Sequence, residues 1–562
     1  MASEASSSRP VRIAVEGCVS FIYLQKQGHG TLHSIYSSIA ESCKLKGWPG
    51  IDLLIIGGDF QAVRNPHDLN CMSVPVKYRE LADFYEYYSG ARTAPYLTIF
   101  IGGNHEASNY LFELYHGGWV APNIYYLGAA NVLRLGGLRI AGLSGIWKGF
   151  DYNKPHHERL PYNDDDVKSI YHVRELDTRK LLQIRTQVDI GLSHDWPKGV
   201  EWKGDHKWLF KRKDGLLQDA QSGRLNNEAA RQVMNRLRPM HWFSAHHHVK
   251  YAATIHHSNS NTDDLQPTRD STKQTETLTS GVPQNAEEID LDMDDDATVN
   301  AKEEKREPQP NRDEINLDLD DEDVISSDLR AELPAAFSRP VQPASLPFPS
   351  DIKNKTTNFL ALDKCLQHRD FLQLLEIPSS TVISEVLPLR LEYDPEWLAI
   401  TRALEKAHSS PAYRTFGNAA AATPPNKGEA FYGPLIETEE EWVDEHLVKQ
   451  DKMVIPLNFE QTAPAWDSSQ GDWRNVRDQP REYANPQTKQ YCDILEIPNP
   501  FNISEEEALQ RMANGPAPST STFSRGGRGG WRGGGRGRGG GRGFRGGFPG
   551  GRGRGRGRGG RW

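Results

Sequence analysis

The chain has 562 residues and a formal net charge of −9, and hydrophobic residues make up 37% of it. That hydrophobic share is low for one continuous core, so we expect folded regions separated by disordered ones. The five cysteines form no Cys-x-x-Cys pair and are odd in number, which argues against a secreted disulfide scaffold and against a zinc ribbon.

The first ten residues, 1–10, are polar and are predicted to be disordered. They lack the basic-then-apolar pattern of a signal peptide. No apolar run in the chain approaches the length of a membrane span. We therefore expect a soluble intracellular protein with no membrane partner.

Residues 11–257 contain short apolar runs, each closed by Gly, Asn or His. The predicted strands lie in VRIAV, IDLLIIGGD, YLTIFIGGNHE, LRIAGLSG, VDIGLSHD, HWFSAHHH and VKYAATIHH. Helical patterns lie between some of them, as in LHSIYSSIAESCKL and NEAARQVMNRL. Alternating strands and helices predict an α/β domain or a layered αββα sandwich.

Two further regions follow. Residues 258–350 are polar, acidic and poor in aromatic residues, so they predict a disordered linker, with a docking motif as the alternative. Residues 351–512 predict a smaller C-terminal α+β region. In it, NFLALDKCLQHRDFLQLLEI has helical spacing, and LRLEYDPEWLAITRALEKA begins like a strand and continues as a helix.

Residues 513–562 form an RGG tail that is predicted to be disordered. From Arg525 to Trp562 it contains twelve arginines and no acidic residue. Arginines such as Arg525 and Arg528 offer charge and a planar face to phosphates and bases, so the tail predicts non-specific RNA binding. The alternative is a solubilising tail without a ligand.

Six polar side chains follow predicted strands in the segments GGDFQAVRN, GGNHEASN, SHDWP and SAHHH. Because ligand groups cluster beyond the strand ends in α/β layers, we expect them to converge. They are Asp59, Asn104, His105, His194, His246 and His248.

These residue types fit a site for two metal ions. A carboxylate such as Asp59 can bridge two cations, and neutral imidazoles supply nitrogen ligands. His246 and His248 are two residues apart, so in a strand both would face one side. Paired metals clamp a phosphate and activate a water. Each signal alone is weak, and only their joint occurrence in this order carries weight.

The order of these motifs resembles the metallophosphoesterase superfamily, which has D-x-H, then GD, GNH[DE], a lone His and G-H-x-H. Over both predicted folded regions the chain is also similar to RNA lariat debranching enzymes, in which Cys stands at the first Asp. The shared segments are SHDWP, SAH-x-H, residues 144–177, LALDKCLQHRDFLQLLEI and YDPEWLAI. The resemblance reaches neither the linker nor the tail.

The resemblance implies two divalent cations, Fe²⁺, Zn²⁺ or Mn²⁺, and a role for each matching residue. Asp59 would bridge the two metals. One metal would be held by Asn104, His194 and His246, and the other by His29 and His248. His105 would contact the phosphate and protonate the leaving oxygen. Cys18 takes the Asp position, either as a metal ligand or as a small buried packing residue.

The resemblance further implies hydrolysis of the 2′-5′ phosphodiester at the branch of excised intron lariat RNA, by a metal-activated hydroxide with His105 as general acid. Residues 144–177 correspond to the family's lariat recognition loop. Its aromatic side chains can stack on bases while its cations meet phosphates. The candidate RNA-binding residues there are Trp147, Lys148, Tyr152, Tyr171 and Arg174. Aspartates 164–166 would repel phosphate.

The nonapeptide VSFIYLQKQ, residues 19–27, separates Cys18 from Gly28-His29. Without it the sequence reads EGC-GHGTLH, which restores C-x-H. A strand that simply continued through nine residues would carry His29 about 30 Å from its place. The segment is either a real insertion that loops out or an unspliced intron fragment, because Val-Ser and Gln27 can be encoded by splice-donor-like and acceptor-like codons.

Two other functions stay open at this point. One is a metallophosphoesterase acting on phosphoproteins or nucleotides. The other is a catalytically impaired RNA-binding scaffold, which holds if residues 19–27 disrupt the metal site. The proposed substrate predicts a nuclear protein, and KRK at 211–213 is a weak import signal. The sequence names no protein partner.

Overall fold

The computed structural model describes residues 9–19, 31–257, 347–379, 383, 388–408, 423–467, 469 and 471–519. The predictions made for residues 1–8, for 258–346 and for the tail from residue 520 onward lie outside this part of the chain. So do His29, Arg525, Arg528 and all of the nonapeptide except Val19. Within the described residues no helix has both the length and the apolarity needed to cross a membrane.

The described residues contain thirteen β-strands and thirteen α-helices. The strands are β1 Val11–Glu16, β2 Leu53–Ile56, β3 Thr98–Phe100, β4 Gly118–Ala121, β5 Ile124–Tyr126, β6 Ala130–Leu135, β7 Leu138–Leu143, β8 Ile190–Ser193, β9 His241–Ser244, β10 Tyr251–His256, β11 Thr356–Ala361, β12 Leu372–Ile377 and β13 Leu391–Tyr393. The helices are α1 Leu32–Lys46, α2 Phe84–Tyr88, α3 Ser108–Glu113, α4 Gly149–Tyr152, α5 Asp164–Ser169, α6 Glu175–Leu182, α7 His206–Arg212, α8 Gly215–Gln221, α9 Glu228–Leu237, α10 Pro395–Ala407, α11 Glu429–Val443, α12 Pro486–Leu495 and α13 Glu505–Asn514.

The strands form two mixed sheets. Sheet 1 has the order β12-β1-β2-β3-β5-β4, and sheet 2 has the order β10-β11-β9-β8-β7-β6-β13. Strands β1, β2 and β3 are parallel neighbours, and so are β7, β8 and β9. The carboxyl ends of parallel strands meet at one edge of a sheet, which is where this fold gathers its polar loops.

Alternate residues of sheet 1 face different layers. Val15 and Ile55 belong to one buried core together with Leu192 of sheet 2. Ala14 and Ile56 belong to a second core, which includes the buried face of α1. Because successive side chains of a strand point to opposite faces, sheet 1 lies between sheet 2 and α1. The α/β class predicted from alternating strands and helices is confirmed.

The chain beyond residue 350 contributes strands to both sheets. β11 pairs in parallel with β9 and antiparallel with β10, whereas β12 pairs antiparallel with β1. The helical spacing predicted for NFLALDKCLQHRDFLQLLEI is therefore wrong, because this segment forms β11, β12 and their connection. The free edges of β1 and β9 bind its backbone, and this pairing overrides the local spacing of its apolar residues.

The segment LRLEYDPEWLAITRALEKA forms a strand and a helix, as its sequence predicts. It contains β13, which pairs antiparallel with β6, and α10. Asp394 caps α10 by accepting a hydrogen bond from the backbone N–H of Trp397, and Pro395 stands at the first helical position. Both residue types are favoured there, so the helix start is encoded locally.

Candidate metal centre

The loops after five strands bring together most of the predicted metal ligands. A thiol, a carboxylate and an imidazole from Cys18, Asp59 and His248 have ligand atoms that all lie within 4.8 Å of one another. His194 Nε2 lies 3.4 Å from Asp59 Oδ1 and 3.3 Å from Asn104 Oδ1. Sheet 1 supplies Cys18, Asp59 and Asn104, and sheet 2 supplies the histidines, so the centre spans the carboxyl ends of both sheets.

Two glycines allow this close approach. A Cβ at Gly58 would lie 2.2 Å from His194 Nδ1, and Gly58 has a φ of +119°. A Cβ at Gly103 would lie 2.2 Å from Asp59 Oδ1 and 2.8 Å from His194 Cε1. Any side chain at either position would push the ligands apart, which explains why GGD and GGN carry glycine beside the ligand.

Asp59 and His194 stabilise each other's charged form. Burial disfavours the ionised carboxylate, but His194 and His105 hold the pKa of Asp59 well below its ordinary value. Burial also opposes the charge on His194, yet Asp59 raises the pKa of this imidazole to about 9. The backbone carbonyl of Gly57 accepts a hydrogen bond from His194 Nδ1 at 2.9 Å, which directs Nε2 towards Asp59. A cation is therefore favoured beside Asp59.

His246 and His248 lie in a loop and not in a strand. Strand β9 ends at Ser244, and both histidines have left-handed backbone conformations, with φ of 60° and 47°. The strand alternation used to place them on one side is therefore wrong. Instead His247 points elsewhere, since its Nε2 hydrogen-bonds Asn226 Oδ1 at 2.7 Å. The ring of His246 lies 5.1 Å from that of His194, centroid to centroid.

The donor set suits a divalent transition metal. It combines a thiol, a carboxylate, an amide oxygen and imidazoles, which are the ligands that zinc, iron and manganese take in proteins. His246 Nδ1 is buried and has no hydrogen-bond partner among the described residues. An unpaired buried nitrogen costs free energy, and a metal ion would offset that cost. Cys18, which the sequence left open, lies with the ligands.

His105 lies at the side of the centre. Its backbone N–H donates to Asp59 Oδ1 at 2.9 Å, and its Nδ1 lies 3.8 Å from Asp59 Oδ2. Its side chain is 16% exposed, whereas that of Asp59 is 3% exposed. The imidazole is thus both next to the carboxylate and within reach of solvent. Its predicted role as general acid stays a prediction.

Two buried glutamates beside Asp59 were not predicted from the sequence. Glu106 accepts hydrogen bonds from the backbone N–H groups of Phe60, Gln61 and Gly103, so it ties the two ligand loops together. Burial, followed by the charge of Asp59, raises the pKa of Glu106 to about 7. Glu16 is fully buried with both oxygens unpaired in the described part of the chain, and burial raises its pKa well above the ordinary value. Glu106 could have been found from its place at the end of the motif GGNHE. No motif in the sequence indicates a role for Glu16.

The predicted recognition loop folds into α4, α5 and the start of α6. Trp147 and Lys148 are partly exposed, and the ring of Trp147 packs on that of Tyr152 at 4.7 Å between centroids. The acidic run 164–166 forms the first turn of α5, where Asn163 completes a capping box with Asp166. The negative charge of these three aspartates therefore stabilises the N-terminus of α5.

Two of the five candidate RNA-binding residues in this loop are buried. Arg174 is 1% exposed, and its guanidinium donates to Glu158 Oε1 at 2.6 Å and to backbone carbonyls of Asp151 and Ser169. Tyr171 is 9% exposed and donates to Ser73 Oγ. Neither can meet a phosphate or base without leaving the core, so these two predictions are wrong. The sequence gives no sign that Arg174 pairs internally with Glu158, which lies sixteen residues earlier.

One exposed aromatic residue in the loop was not predicted. Phe150, at the second position of α4, is 71% exposed. It lies in the same short helix as Tyr152 and beside Lys148. The only visible signal for it was its place in the motif WKGFDY, between Lys148 and Tyr152.

Comparison with known proteins identifies the family of this chain. The model of the calcineurin-like phosphoesterase family matches residues 12–250, and that of the lariat debranching enzyme C-terminal domain matches residues 354–500. The chain is 40% identical to the lariat debranching enzyme of Schizosaccharomyces pombe over 480 residues, which cover 85% of this chain and 94% of that protein. It is 39% identical to the Drosophila melanogaster enzyme over 90% of this chain and 80% of the relative, and 36% identical to the human enzyme over 88% and 72%. The chain therefore belongs to the lariat debranching enzyme family, whose calcineurin-like phosphoesterase domain makes its members metal-dependent phosphodiesterases.

Proposed function

We propose that this protein hydrolyses the 2′-5′ phosphodiester bond at the branch of excised intron lariat RNA, and so opens the lariat for turnover. The observation that carries the proposal is the convergence of Cys18, Asp59, Asn104, His194 and His248 in a chain of this family. The products would be a linear RNA with a free 2′-hydroxyl at the branch nucleotide and a 5′-phosphate on its former partner.

The proposal includes two divalent ions, Fe²⁺, Zn²⁺ or Mn²⁺. Asp59 would bridge them, with Asn104, His194 and His246 on one side, and His248 with Cys18 or His29 on the other. Such ions, when bound, activate a water nucleophile and neutralise charge on the phosphate oxygens. We also propose a four-layer αββα order for the domain, with these side chains at the carboxyl ends of both sheets.

His105 would donate the proton that the leaving 2′-oxygen needs. The reaction cleaves the bond between phosphorus and that oxygen, so an alkoxide would leave unless it is protonated. The hydrogen bond from the His105 backbone to Asp59 ties this residue to the centre. Its partly exposed ring can then reach a phosphate held in the cleft.

Branch selection would use the exposed part of residues 144–177. Trp147, Phe150 and Tyr152 offer aromatic faces to unstacked bases, and Lys148 offers charge to a phosphate. Tyr171 and Arg174 would support the loop from beneath. We also propose non-specific RNA binding by the RGG tail and residence in the nucleus, where introns are excised.

The test compares three substrates: a branched RNA, its linear counterpart and a small aryl phosphoester. We expect divalent-ion-dependent cleavage of the branched RNA only at the 2′-5′ bond. The substitution His105→Asn should lower kcat by about 10²–10⁴-fold and leave the bound metal unchanged.

His446→Asn is the matched control. His446 is an exposed histidine that hydrogen-bonds the Trp442 carbonyl, and this variant should keep full activity. Equal turnover of branched and linear RNA would instead indicate a general phosphodiesterase. A preference for the small ester would contradict the proposal outright.

A further inference from the structure

Six exposed cationic and aromatic side chains lie on one short segment that follows the ligand His194. The segment includes α7, and two of its tryptophans are 39% and 45% exposed. The four cations are exposed as well. We refer to these six residues as the basic–aromatic surface: Trp202, Lys203, Lys207, Trp208, Lys211 and Arg212.

Helix geometry groups four of these side chains, those within α7, on one face. α7 buries Leu209 and Phe210 and leaves the opposite side to solvent. Lys207 and Lys211 are four residues apart, as are Trp208 and Arg212, so each pair lies along the helix axis. Trp202 precedes α7 and packs on the ring of Phe210 at 5.0 Å, so this indole lies next to the helix. The exposed face of α7 therefore carries one indole among three cations.

The acids of this segment hydrogen-bond groups other than the four cations. Asp205 caps α7 through the backbone N–H of Trp208, and Asp214 caps α8 through that of Gly215. Glu201 is buried and accepts from Asn226 Nδ2 at 2.8 Å. Within the described residues, no ion pair involves Lys203, Lys207, Lys211 or Arg212. The cations are thus available to an external anion.

The base of this segment is fixed to the ligand loop of sheet 2. The Tyr251 hydroxyl donates to the Glu201 carbonyl at 2.7 Å and accepts from the Gly204 N–H at 2.9 Å. Trp196 stacks on Tyr251 at 5.2 Å and donates from Nε1 to the Ala245 carbonyl. Ala245 immediately precedes His246, so the base of this segment is connected through Tyr251 and Trp196 to the loop that carries a predicted metal ligand.

We propose that the basic–aromatic surface binds a single-stranded arm of the branched RNA where that arm leaves the metal centre. The inference rests on the proposed function. Exposed indoles stack on bases of any sequence, and the cations between them match successive phosphates. A double helix would keep its bases from the indoles, and an acidic protein would use the cations only. Single-stranded RNA uses both.

Arm length provides the test. Two branched substrates are compared: a minimal one with a single nucleotide on each branch, and one with arms of about ten nucleotides. In the full-length protein, Lys207→Gln/Lys211→Gln should raise KM for the long-armed RNA about tenfold and leave kcat and the minimal substrate unchanged. The slope of log KM against log salt should fall by about 1.4, since each phosphate contact with a single strand contributes roughly 0.7.

The matched control is Lys44→Gln/Lys46→Gln, which removes two exposed lysines from α1. This variant should leave KM unchanged for both the minimal and the long-armed RNA. At the aromatic position, Trp208→Ala should raise KM for the long-armed RNA about tenfold, and Trp208→Phe should restore most of the affinity because it keeps a stacking ring. Equal losses on both substrates, or none on either, would overturn the inference.

A measurement without catalysis separates this inference from the proposed function. Linear RNA containing photoreactive 4-thiouridine is crosslinked to the full-length protein, and the modified peptides are mapped. We expect crosslinks at residues 198–213 that are lost in Lys207→Gln/Lys211→Gln. Crosslinks confined to other parts of the chain would overturn the inference even if the protein cleaves branches. Crosslinks at this segment in a protein that cleaves no branch would overturn the proposed function alone.

Discussion

At the residue scale, the close approach of Asp59 to His194 requires a glycine at position 103. Gly103 has a backbone position from which a Cβ would meet Asp59 Oδ1 at 2.2 Å, the Asp59 nitrogen at 2.6 Å and His194 Cε1 at 2.8 Å. The substitution Gly103→Ala should therefore displace the carboxylate from His194. We expect metal affinity to fall by about 10–100-fold, as it does when groups that orient ligands are lost. Competition titration with a metal-binding dye measures it.

Gly433→Ala is the matched control for that substitution. Gly433 lies inside α11, and a Cβ there would meet no atom within 4 Å apart from its chain neighbours and its own helix backbone. This variant should keep full metal affinity, because α11 contributes no predicted ligand to the metal centre. Unchanged metal affinity in Gly103→Ala would show that the Asp59 loop can relax without loss.

The sequence predicts residue identities at this centre better than residue contacts. The order of GGD, GGNHE, SHD and SAHHH is enough to select Asp59, Asn104, His194 and the pair that includes His248. It gives no information on whether a cation is buried, so Arg174 was assigned to RNA although it is paired internally with Glu158. Contacts between residues distant in sequence exist only after folding.

At the element scale, α10 is fixed to sheet 2 by an internal ion cluster. Asp394 is fully buried and accepts from Arg139 Nη2 at 2.7 Å and from Arg134 Nε at 2.7 Å. The substitution Asp394→Asn keeps a capping side chain but removes the charge. It should lower the free energy of unfolding by about 3 kcal/mol, because it leaves the buried guanidinium of Arg139 less compensated. Urea denaturation at pH 7 measures this loss.

The pH dependence of that variant gives a second reading. Burial disfavours the Asp394 carboxylate, but Arg139 and Arg134 hold its pKa below the ordinary value. A depressed folded-state pKa adds stability above the unfolded value of about 3.9, and this stability is lost as pH falls through the folded pKa. The difference in the free energy of unfolding between wild type and Asp394→Asn should therefore become smaller below about pH 4. The control is Asp472→Asn, at a half-exposed helix cap. It should lower the free energy of unfolding by less than about 0.5 kcal/mol at every pH.

Elements whose partners are local were predicted well, and those with distant partners were not. α10 begins at Asp394-Pro395, where the signals lie within three residues. The segment that forms β11 and β12 shows helical spacing, yet it pairs with β9 and β1, which are more than one hundred residues earlier. The spacing of apolar residues within one segment does not show that a strand edge elsewhere in the chain is available for pairing.

At the scale of the whole molecule, the regions on either side of residues 258–346 fold together. β11, β12 and β13 join the two sheets that the earlier residues begin, and the Cys365 N–H donates to the Cys18 carbonyl at 3.2 Å. The later region thus holds the backbone next to a predicted metal ligand. The boundary predicted near residue 257 stays a prediction about sequence segments, since both sheets draw on both regions.

Well-packed residues lie at the start of the nonapeptide 19–27 and shortly after its end. On one side, Val19 is fully buried in the core that contains α1. On the other side, Thr31 caps α1, and Asp83 accepts from the N–H groups of Leu32 and His33. β1 ends at Glu16, so the strand does not continue into the nonapeptide. In the sequence, His29 is eleven residues from Cys18 instead of two.

The position of His29 can be tested by removing residues 19–27. The shortened chain restores Cys18-Gly28-His29, in which both side chains face one side of an extended backbone. We expect it to bind two divalent ions per chain and to be the more active on branched RNA, whereas the chain with residues 19–27 should bind fewer ions. His29→Ala in both backgrounds completes a double-mutant cycle. It should remove about one ion from the shortened chain and none from the longer one. If His29→Ala lowers metal content equally in both, the nonapeptide loops out and His29 reaches the centre in either chain.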